Sequence, residues 1–365
     1  MMLRDLCRGL PVMLVLIGLV WSGSVFAAGG GRVSSGESAQ IRVFMYHHIG
    51  MEEKYPSTSV STEQFEKHLA YLQEHEYTVL TLGAALDRLY SGKNVPEKSA
   101  VITMDDGYRS IWDNALPLLE EYDFPATIFV ATGYVGGENF LTWEQIAKLA
   151  ATGFEIGNHS HSHSYFVNKP AGKIGDVFAA DLKQSHELFR RHLGRVPRLY
   201  AYPFGEYCPE MIPILKEQGY VAATAQRSGV IFKESNPYAL PRFPMNLHYA
   251  DIKGFKEKIG MHALQVVEAE PKDPVVSENN PPSLRLCIKN SQLHPRGLQC
   301  FVNGKRNCRL TKEQEKSGVL KVTMRSSNQL SSRRTLYTLT GPSYDGSTWF
   351  WYSYPWVMPE EEGHQ

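Results

Sequence analysis

Net charge is the first thing this 365-residue chain lacks: 38 Lys and Arg balance 38 Asp and Glu. Polyanion binding driven by bulk charge is therefore excluded, a local basic patch is not, and no nucleic-acid partner is expected. Cysteine is scarce, five in all, without the paired close spacing of a zinc knuckle. No internal repeat is visible, and 42% hydrophobic with 21% charged residues sits near the globular average, which excludes general disorder, collagen-like repetition and a coiled coil. Tryptophan is absent between Trp143 and Trp349. One long uncharged run occupies residues 9–31, but Ser22, Gly23, Ser24 and Gly29 to Gly31 make a poor membrane interior.

That run reads better as an export leader at residues 1–27. Arg4 and Arg8 supply the positive start, Leu10 to Val20 the short apolar stretch, and Val25-Phe26-Ala27 the small-residue cleavage pattern. Cleavage after Ala27 leaves 338 residues with 36 basic against 37 acidic side chains, and a Gly/Ser-rich tether at 28–40. The expected location is periplasmic or secreted, without a stable membrane span; the alternative is tethering by an uncleaved N-terminal segment. Four cysteines then remain, Cys208, Cys287, Cys300 and Cys308, where disulfides can persist. Asn303-Gly304 suggests a tight hairpin. A two-residue turn sets Cys300 opposite Asn307 and sends Cys308 to the other face, whereas a three-residue turn brings the two cysteines together. Cys287 competes as a partner, and Cys208 fits a plain buried thiol.

From residue 41 the chain repeats a short apolar run, a polar loop and a helical stretch, the pattern of a parallel sheet with helical crossovers. Strand candidates are Arg42–Tyr46, Thr78–Leu82, Ala100–Met104, Ala126–Ala131, Phe154–Gly157, Leu199–Tyr202, Val221–Ala225 and Ala239–Phe243. Ser61-Thr62-Glu63-Gln64 and Thr142-Trp143-Glu144-Gln145 read as capping boxes, and Phe65, Leu69 and Leu72 share one helix face. Seven or eight such units over roughly 220 residues suggest a closed or nearly closed (β/α) barrel through residue 266. Residues 267–283, with Pro271, Pro274, Pro281 and Pro282 among acids and asparagines, read as a linker. Beyond it Leu284–Ile288, Leu298–Val302, Val319–Met324 and Thr335–Leu339 have strand length, so residues 284–365 are expected as a small β-sandwich.

Polar residues collect where the barrel strands end. Tyr46-His47-His48 follows the first candidate, Asp105-Asp106-Gly107 the third, and His159-Ser160-His161-Ser162-His163 the fifth. In a parallel barrel these three places share one face. Each alone has a bland reading: an ordinary turn, a satisfied half-buried imidazole, a solvated His/Ser loop. Together they suit metal-assisted hydrolysis. One carboxylate and two imidazoles leave a coordination shell open to water and lower that water's pKa towards about 7. A second carboxylate kept off the metal can take the proton, and His47 across the cleft can protonate the leaving group.

Thr103-Met104-Asp105-Asp106-Gly107 resembles the first motif of the NodB-homology polysaccharide deacetylases, carbohydrate esterase family 4, and His159-Ser160-His161-Ser162-His163 resembles the second. Tyr46-His47 and Arg198-Leu199-Tyr200-Ala201-Tyr202-Pro203-Phe204-Gly205 resemble the permuted branch that deacetylates poly-N-acetylglucosamine exopolysaccharide. The resemblance covers residues 41–250. It implies a distorted (β/α)7-8 barrel (NodB-like) with Asp105 as base, His47 as acid, and Asp106, His159 and His163 around Zn²⁺ or another divalent ion such as Co²⁺ or Ni²⁺. It also implies an acetylated polysaccharide as substrate, attacked by metal-bound water, with the oxyanion held partly by a backbone N–H near Tyr202. His161 is left pointing outward. The chain departs from the pattern in places. Relatives carry an arginine where Ala201 stands, and Arg242, in Leu240-Pro241-Arg242-Phe243-Pro244, either replaces it or is a surface charge. The tryptophan beside the acetyl methyl is missing, so Tyr202, Pro203 and Phe204 are candidates for the pocket wall, the two rings being equally suited to core. His48 competes with His47, but period-two alternation sends only one to the mouth and the motif favours His47.

Tyr344, Trp349, Phe350, Trp351, Tyr352, Tyr354 and Trp356 crowd the C-terminal end. Such rings can stack on pyranose faces, which offers a glycan contact, yet a strand alternates faces and half of them are expected in a core. The leading function is hydrolytic deacetylation of an N-acetylglucosamine-containing polysaccharide. Alternatives are an O-acetyl polysaccharide esterase and a catalytically silent glycan-binding envelope protein. A two-histidine, one-carboxylate iron oxygenase would need a different fold and leaves Asp105 unexplained.

Overall fold

The computed structural model describes residues 39–314 and 318–360. The expected leader, nearly all of the expected tether and residues 361–365 lie outside them. A curled, mainly parallel sheet carries the first part of the chain: β1 (Gln40–Tyr46), β2 (Thr78–Leu80), β3 (Ser99–Met104), β4 (Thr127–Val130), β5 (Glu155–Asn158), β6 (Leu199–Ala201) and β7 (Ala222–Thr224). The path runs β1-β3-β4-β5-β6-β7. β1 and β3 are buried at every residue, as expected of parallel strands covered on both faces.

Two forks distort the barrel. The outer edge of β3 is shared, with β2 along Ser99 to Val101 and β4 along Thr103 and Met104. The outer edge of β1 is likewise split between β8 (Ile231–Phe232), antiparallel, and β9 (Phe243–Pro244), parallel. Thr224 at the end of β7 bridges Leu240 in parallel, just ahead of β9. The circuit therefore closes through short pieces, and the eighth strand expected at Ala239–Phe243 is one bridge followed by two paired residues.

Helices cover the outside: α1 (Thr62–Glu74), α2 (Leu82–Ser91), α3 (Leu116–Glu121), α4 (Trp143–Ala151), α5 (Ile174–Leu193), α6 (Met211–Glu217) and α7 (Ile252–Ile259). The Ser61 hydroxyl accepts from Gln64 N–H at 3.1 Å, and α1 buries Phe65, Leu69 and Leu72. Thr142 and Gln145 form a reciprocal box at the start of α4. The strand expected to Leu82 stops at Leu80, because the Thr81 hydroxyl accepts from Ala84 N–H and starts α2 at Leu82. No helix among the described residues is long and apolar enough to cross a membrane.

Two four-stranded sheets follow, built from β10 (Met261–Ala263), β11 (Val266–Glu270), β12 (Ser283–Ile288), β13 (Gln299–Val302), β14 (Cys308–Gln314), β15 (Leu320–Ser326), β16 (Arg334–Pro342) and β17 (Trp349–Val357). Their orders are β10-β17-β16-β13 and β11-β12-β15-β14. Leu284, Leu286, Ile288, Val322, Met324, Leu339, Phe350 and Trp356 fill the core. Residues 267–270, expected as linker, instead belong to β11, whose ladder with β12 holds them although Val267 and Glu268 are exposed. Met261–Ala263, expected within the barrel, pairs with β17.

Val302 and Lys305 exchange both backbone bonds around Asn303-Gly304, so the turn has two residues. Cys300 and Cys308 are nonetheless disulfide-bonded, with Cα atoms 5.7 Å apart. The hairpin is one pair long: β13 continues on β16 while β14 joins β15 in the other sheet. Its register never propagates to Cys300, and the bond ties one sheet to the other. Cys208 is buried, and burial pushes its thiol up to about 11. Of the aromatic cluster, Phe350, Tyr354 and Trp356 are core, Trp351 packs on the barrel core, and Tyr344 and Trp349 are exposed.

Candidate active site

Parallel pairing sets the strand ends level. Asp105 N–H donates to the Tyr46 carbonyl at 2.9 Å, and His159 N–H to that of Val130 at 2.9 Å. The segments after β1, β3 and β5 thus meet at one rim. Asp106 (φ 72°) turns the chain sharply out of β3, which sends the two adjacent carboxylates to different neighbours.

Asp106, His159 and His163 each offer one ligand atom, all within 4.8 Å of one another. Asp106 Oδ1 lies 3.1 Å from both imidazole Nε2 atoms. It is buried and has no hydrogen-bond partner among the described residues. His159 Nδ1 lies 2.7 Å from the Ala201 carbonyl, so Nδ1 carries the hydrogen that this acceptor requires. A neutral His159 would then aim an Nε2 lone pair at a carboxylate oxygen, and a cation has to sit between them, a proton or a metal ion. The titration directions agree. Burial pushes His159 down, but the Asp106 and Asp105 carboxylates outweigh it and raise it above its ordinary value. Burial alone would raise Asp106, yet the facing imidazoles hold it well below the usual carboxylate range. This donor set, one carboxylate and two nitrogens, fits a divalent ion with open positions.

Asp105 points elsewhere. Arg242 grips it bidentately, Nη1 to Oδ1 at 2.6 Å and Nη2 to Oδ2 at 2.8 Å, while Nη1 also reaches Thr103 Oγ1 at 3.2 Å. Burial would raise the Asp105 carboxyl, but Arg242, then His159 and His47, hold it below its ordinary value. Arg242 is only 1% exposed, so the surface-charge alternative falls away. His47 follows β1 at this rim. Burial lowers its imidazole, and the Asp106 and Asp105 charges work in the opposite sense. His48 is clamped between the Tyr55 ring at 4.3 Å and the Tyr108 ring at 3.6 Å, and burial followed by the His47 charge brings it down to about 4.

The loop carrying the two ligand-type histidines is pinned from behind. Asp181 on α5 accepts from His161 N–H at 2.7 Å and Ser162 N–H at 2.8 Å. Asn158 accepts from Ser160 N–H, and Ser160 Oγ from His163 N–H at 2.8 Å. Ser160 and His163 both hold positive φ there. Asp181 escaped the reading of the sequence, although a signal exists: it stands on the apolar stripe of α5 with Phe178 and Leu182. His161, expected to point outward, lies with Nδ1 3.0 Å from Thr132 Oγ1.

The candidates of the third motif separate. Tyr202 does not line the mouth: its ring is fully buried against Tyr200 and Tyr207, and its hydroxyl donates to the Tyr238 carbonyl. Its backbone N–H donates to Thr224 O at 3.1 Å and is thereby committed to the strand ladder. Pro203 is buried and opens a single 3₁₀ turn. Phe204 does reach the site, its ring edge-on to His163 at 4.5 Å and stacked on Tyr165 at 3.6 Å.

Known proteins resemble this chain in sequence and in fold. Residues 92–223 match the family described as polysaccharide deacetylase. A poly-beta-1,6-N-acetyl-D-glucosamine N-deacetylase of Staphylococcus aureus is 31% identical over 194 residues, 50% of this chain and 67% of that protein. IcaB from Ammonifex degensii superposes with a TM-score of 0.54 at 26% identity, over 61% of this chain and 98% of that one. The Streptococcus pyogenes deacetylase PplD shares the fold, with a TM-score of 0.56 at 21% identity over 61% and 99%. His47 and Arg242 fall outside the matched residues 92–223, and only the folded chain brings them to the same rim.

Proposed function

The chain belongs to the polysaccharide deacetylase family, and we propose that it hydrolyses the acetamide of an N-acetylglucosamine-containing exopolysaccharide with one divalent ion, Zn²⁺ foremost. The observation that carries this reading is the division between the two adjacent carboxylates. Asp106 faces two imidazole nitrogens at 3.1 Å, while Asp105 is held off by Arg242 at 2.6 and 2.8 Å.

Asp106, His159 and His163 would hold the ion, which when bound supplies Lewis acidity and eases deprotonation of water. Asp105, fixed by both guanidinium nitrogens, takes the proton from the attacking water. His159 is kept in its Nδ1–H form by the Ala201 carbonyl, so that its Nε2 faces the cation position. As the C–N bond breaks, His47 gives a proton to the departing nitrogen, leaving acetate and a free amino sugar. The Phe204 ring walls the site beside His163. Export follows from the leader-like residues 1–27.

Purified protein loaded with Zn²⁺, Co²⁺ or Ni²⁺ tests this by acetate release from N-acetylglucosamine oligomers, beside an acetylated xylan. Release from the oligomers, lost in Asp105→Asn and His159→Ala, is expected. Release from xylan alone would leave an O-acetyl esterase, and none from either substrate, metal bound, would leave a glycan binder.

A further inference from the structure

We propose that Arg333 and Arg334, which belong to the C-terminal sheets, are positioning residues for the active-site loop 203–206. The inference rests on the deacetylase reading and extends it to a region with no motif of its own. Arg334 opens β16, paired opposite Val357 of β17, and its Nη1 donates both to the Phe204 carbonyl and to Gln226 Oε1. Arg333, one residue earlier, grips Glu206 through Nε at 2.9 Å and Nη2 at 2.7 Å, and Asn168 Oδ1 through Nη2 at 2.8 Å. Its guanidinium lies 3.9 Å over the Tyr165 ring. Two arginines from the sheets therefore hold both segments that flank Phe204.

The loop needs such a hold. Phe204 sits at φ 57° and Gly205 at φ 69°, a left-handed pair that a phenylalanine adopts only when its surroundings impose it. A Cβ on Gly205 would meet Gln226 Cβ at 2.1 Å and its backbone nitrogen at 2.2 Å, so the loop is pressed onto the segment after β7. Arg334 spans that seam. Through it the strained carbonyl of Phe204 is satisfied from outside the barrel, and the Phe204 ring is kept against Tyr165 and edge-on to His163. Released, the ring would swing from the wall beside His163 and the acetamide would lose the surface that orients it. The C-terminal sheets thereby serve as the back of the active site.

The full-length protein carrying Arg334→Met, Arg334→Lys or Arg333→Met decides it by two readouts. One is kcat and KM for acetate release from N-acetylglucosamine oligomers, and the other is hydrogen exchange at the amides of Phe204, Gly205 and Glu206 against those of Thr338 to Thr340 in β16. Arg334→Met is expected to lower kcat/KM at least about tenfold, within what a misplacement near the chemistry can cost. Exchange of Gly205 and Glu206 should quicken while β16 stays protected, and Arg334→Lys should restore part of both. Unchanged kinetics and exchange would overturn the proposal, as would faster exchange in loop and β16 alike, which marks a role in folding only. A wild-type protein that releases no acetate would sink the deacetylase reading instead, and the exchange comparison would still decide the positioning.

Discussion

In the C-terminal sheets β12 turns Leu284, Leu286 and Ile288 inward and leaves Ser283 and Arg285 exposed, and β15 does the same with Val322 and Met324 against Lys321 and Arg325. At the barrel mouth Asp105 at 2%, His159 at 2% and Arg242 at 1% exposure are as buried as those leucines. The sheets spread their stability over many apolar contacts, each replaceable by another of similar volume. The mouth concentrates charge in a few bonds, and any one of them removed leaves its partner buried and uncompensated. A polar group is kept dry at such cost where chemistry uses it.

The harshest way to test this contrast is at Arg242. Arg242→Leu strips Asp105 of both of its 2.6 and 2.8 Å partners, and breaking a buried pair costs about 3–5 kcal/mol. Acetate release is expected to fall at least the roughly hundredfold that a positioned base contributes. Adding Asp105→Asn should return much of the stability and none of the activity, because the orphaned charge is gone while the base is still missing. Urea unfolding beside the acetate assay reads both; a double variant no more stable than Arg242→Leu would mean that the pair is not what the mouth depends on.

A milder cut falls in the sheets. Cys300 and Cys308 are eight residues apart, and opening so short a loop costs roughly 2–3 kcal/mol. Cys300→Ala with Cys308→Ala should lower the urea midpoint accordingly and leave kcat and KM alone, since the bond ties one sheet to the other and neither cysteine is among the residues of the mouth or its loop. Kinetics that collapse with the bond would erase the distinction between a region that stabilises and one that reacts.

The same contrast explains what could be read from residues in order. Motif spacing placed Asp105, Asp106, His159 and His163 at strand ends, since a parallel barrel sends every such end to one rim. Arg242 could only be offered as one of two readings, because its partner lies 137 residues away and no local pattern encodes that pairing. Tyr202 stands one residue beyond β6, and only the packed core decides that its ring turns inward. In the sheets, apolar runs of strand length marked β12 and β15, but β11 is hidden by its exposed Val267 and Glu268 and by the prolines after it. β17, expected to alternate between a core face and an open one, does so only at its start, where Trp349 is exposed and Phe350 buried; from Ser353 on both faces are covered, one by the sheet core and one by the barrel. Arg333 and Arg334 look like surface charge until Glu206 and Phe204 are brought to them.

The gentlest probe is pH, and it separates the regions by their histidines. His68 is fully buried between α1, β1 and α7, its Nε2 2.7 Å from the Ala250 carbonyl and its Nδ1 2.9 Å from the Tyr46 hydroxyl. That pattern fits the neutral ring, Nε2–H donating and Nδ1 accepting, and burial lowers the imidazole to about 4. His48 and His186 in the barrel are lowered to about 4 as well, chiefly by burial, against His262 alone among the described residues of the sheets. An unfolded histidine takes its proton near 6.5, so between 6.5 and 4 the unfolded chain binds more protons than the folded one. The stability these rings contribute is complete above 6.5 and drains away as pH falls towards 4, by up to about 1.4 kcal/mol per pH unit for each ring. His68→Gln removes one such proton from the balance. Its urea midpoint is expected to fall less steeply across that window than the wild type's, and to run parallel above it. Parallel lines throughout would mean that His68 keeps its proton in the fold, and that the barrel tolerates a buried charge away from its mouth.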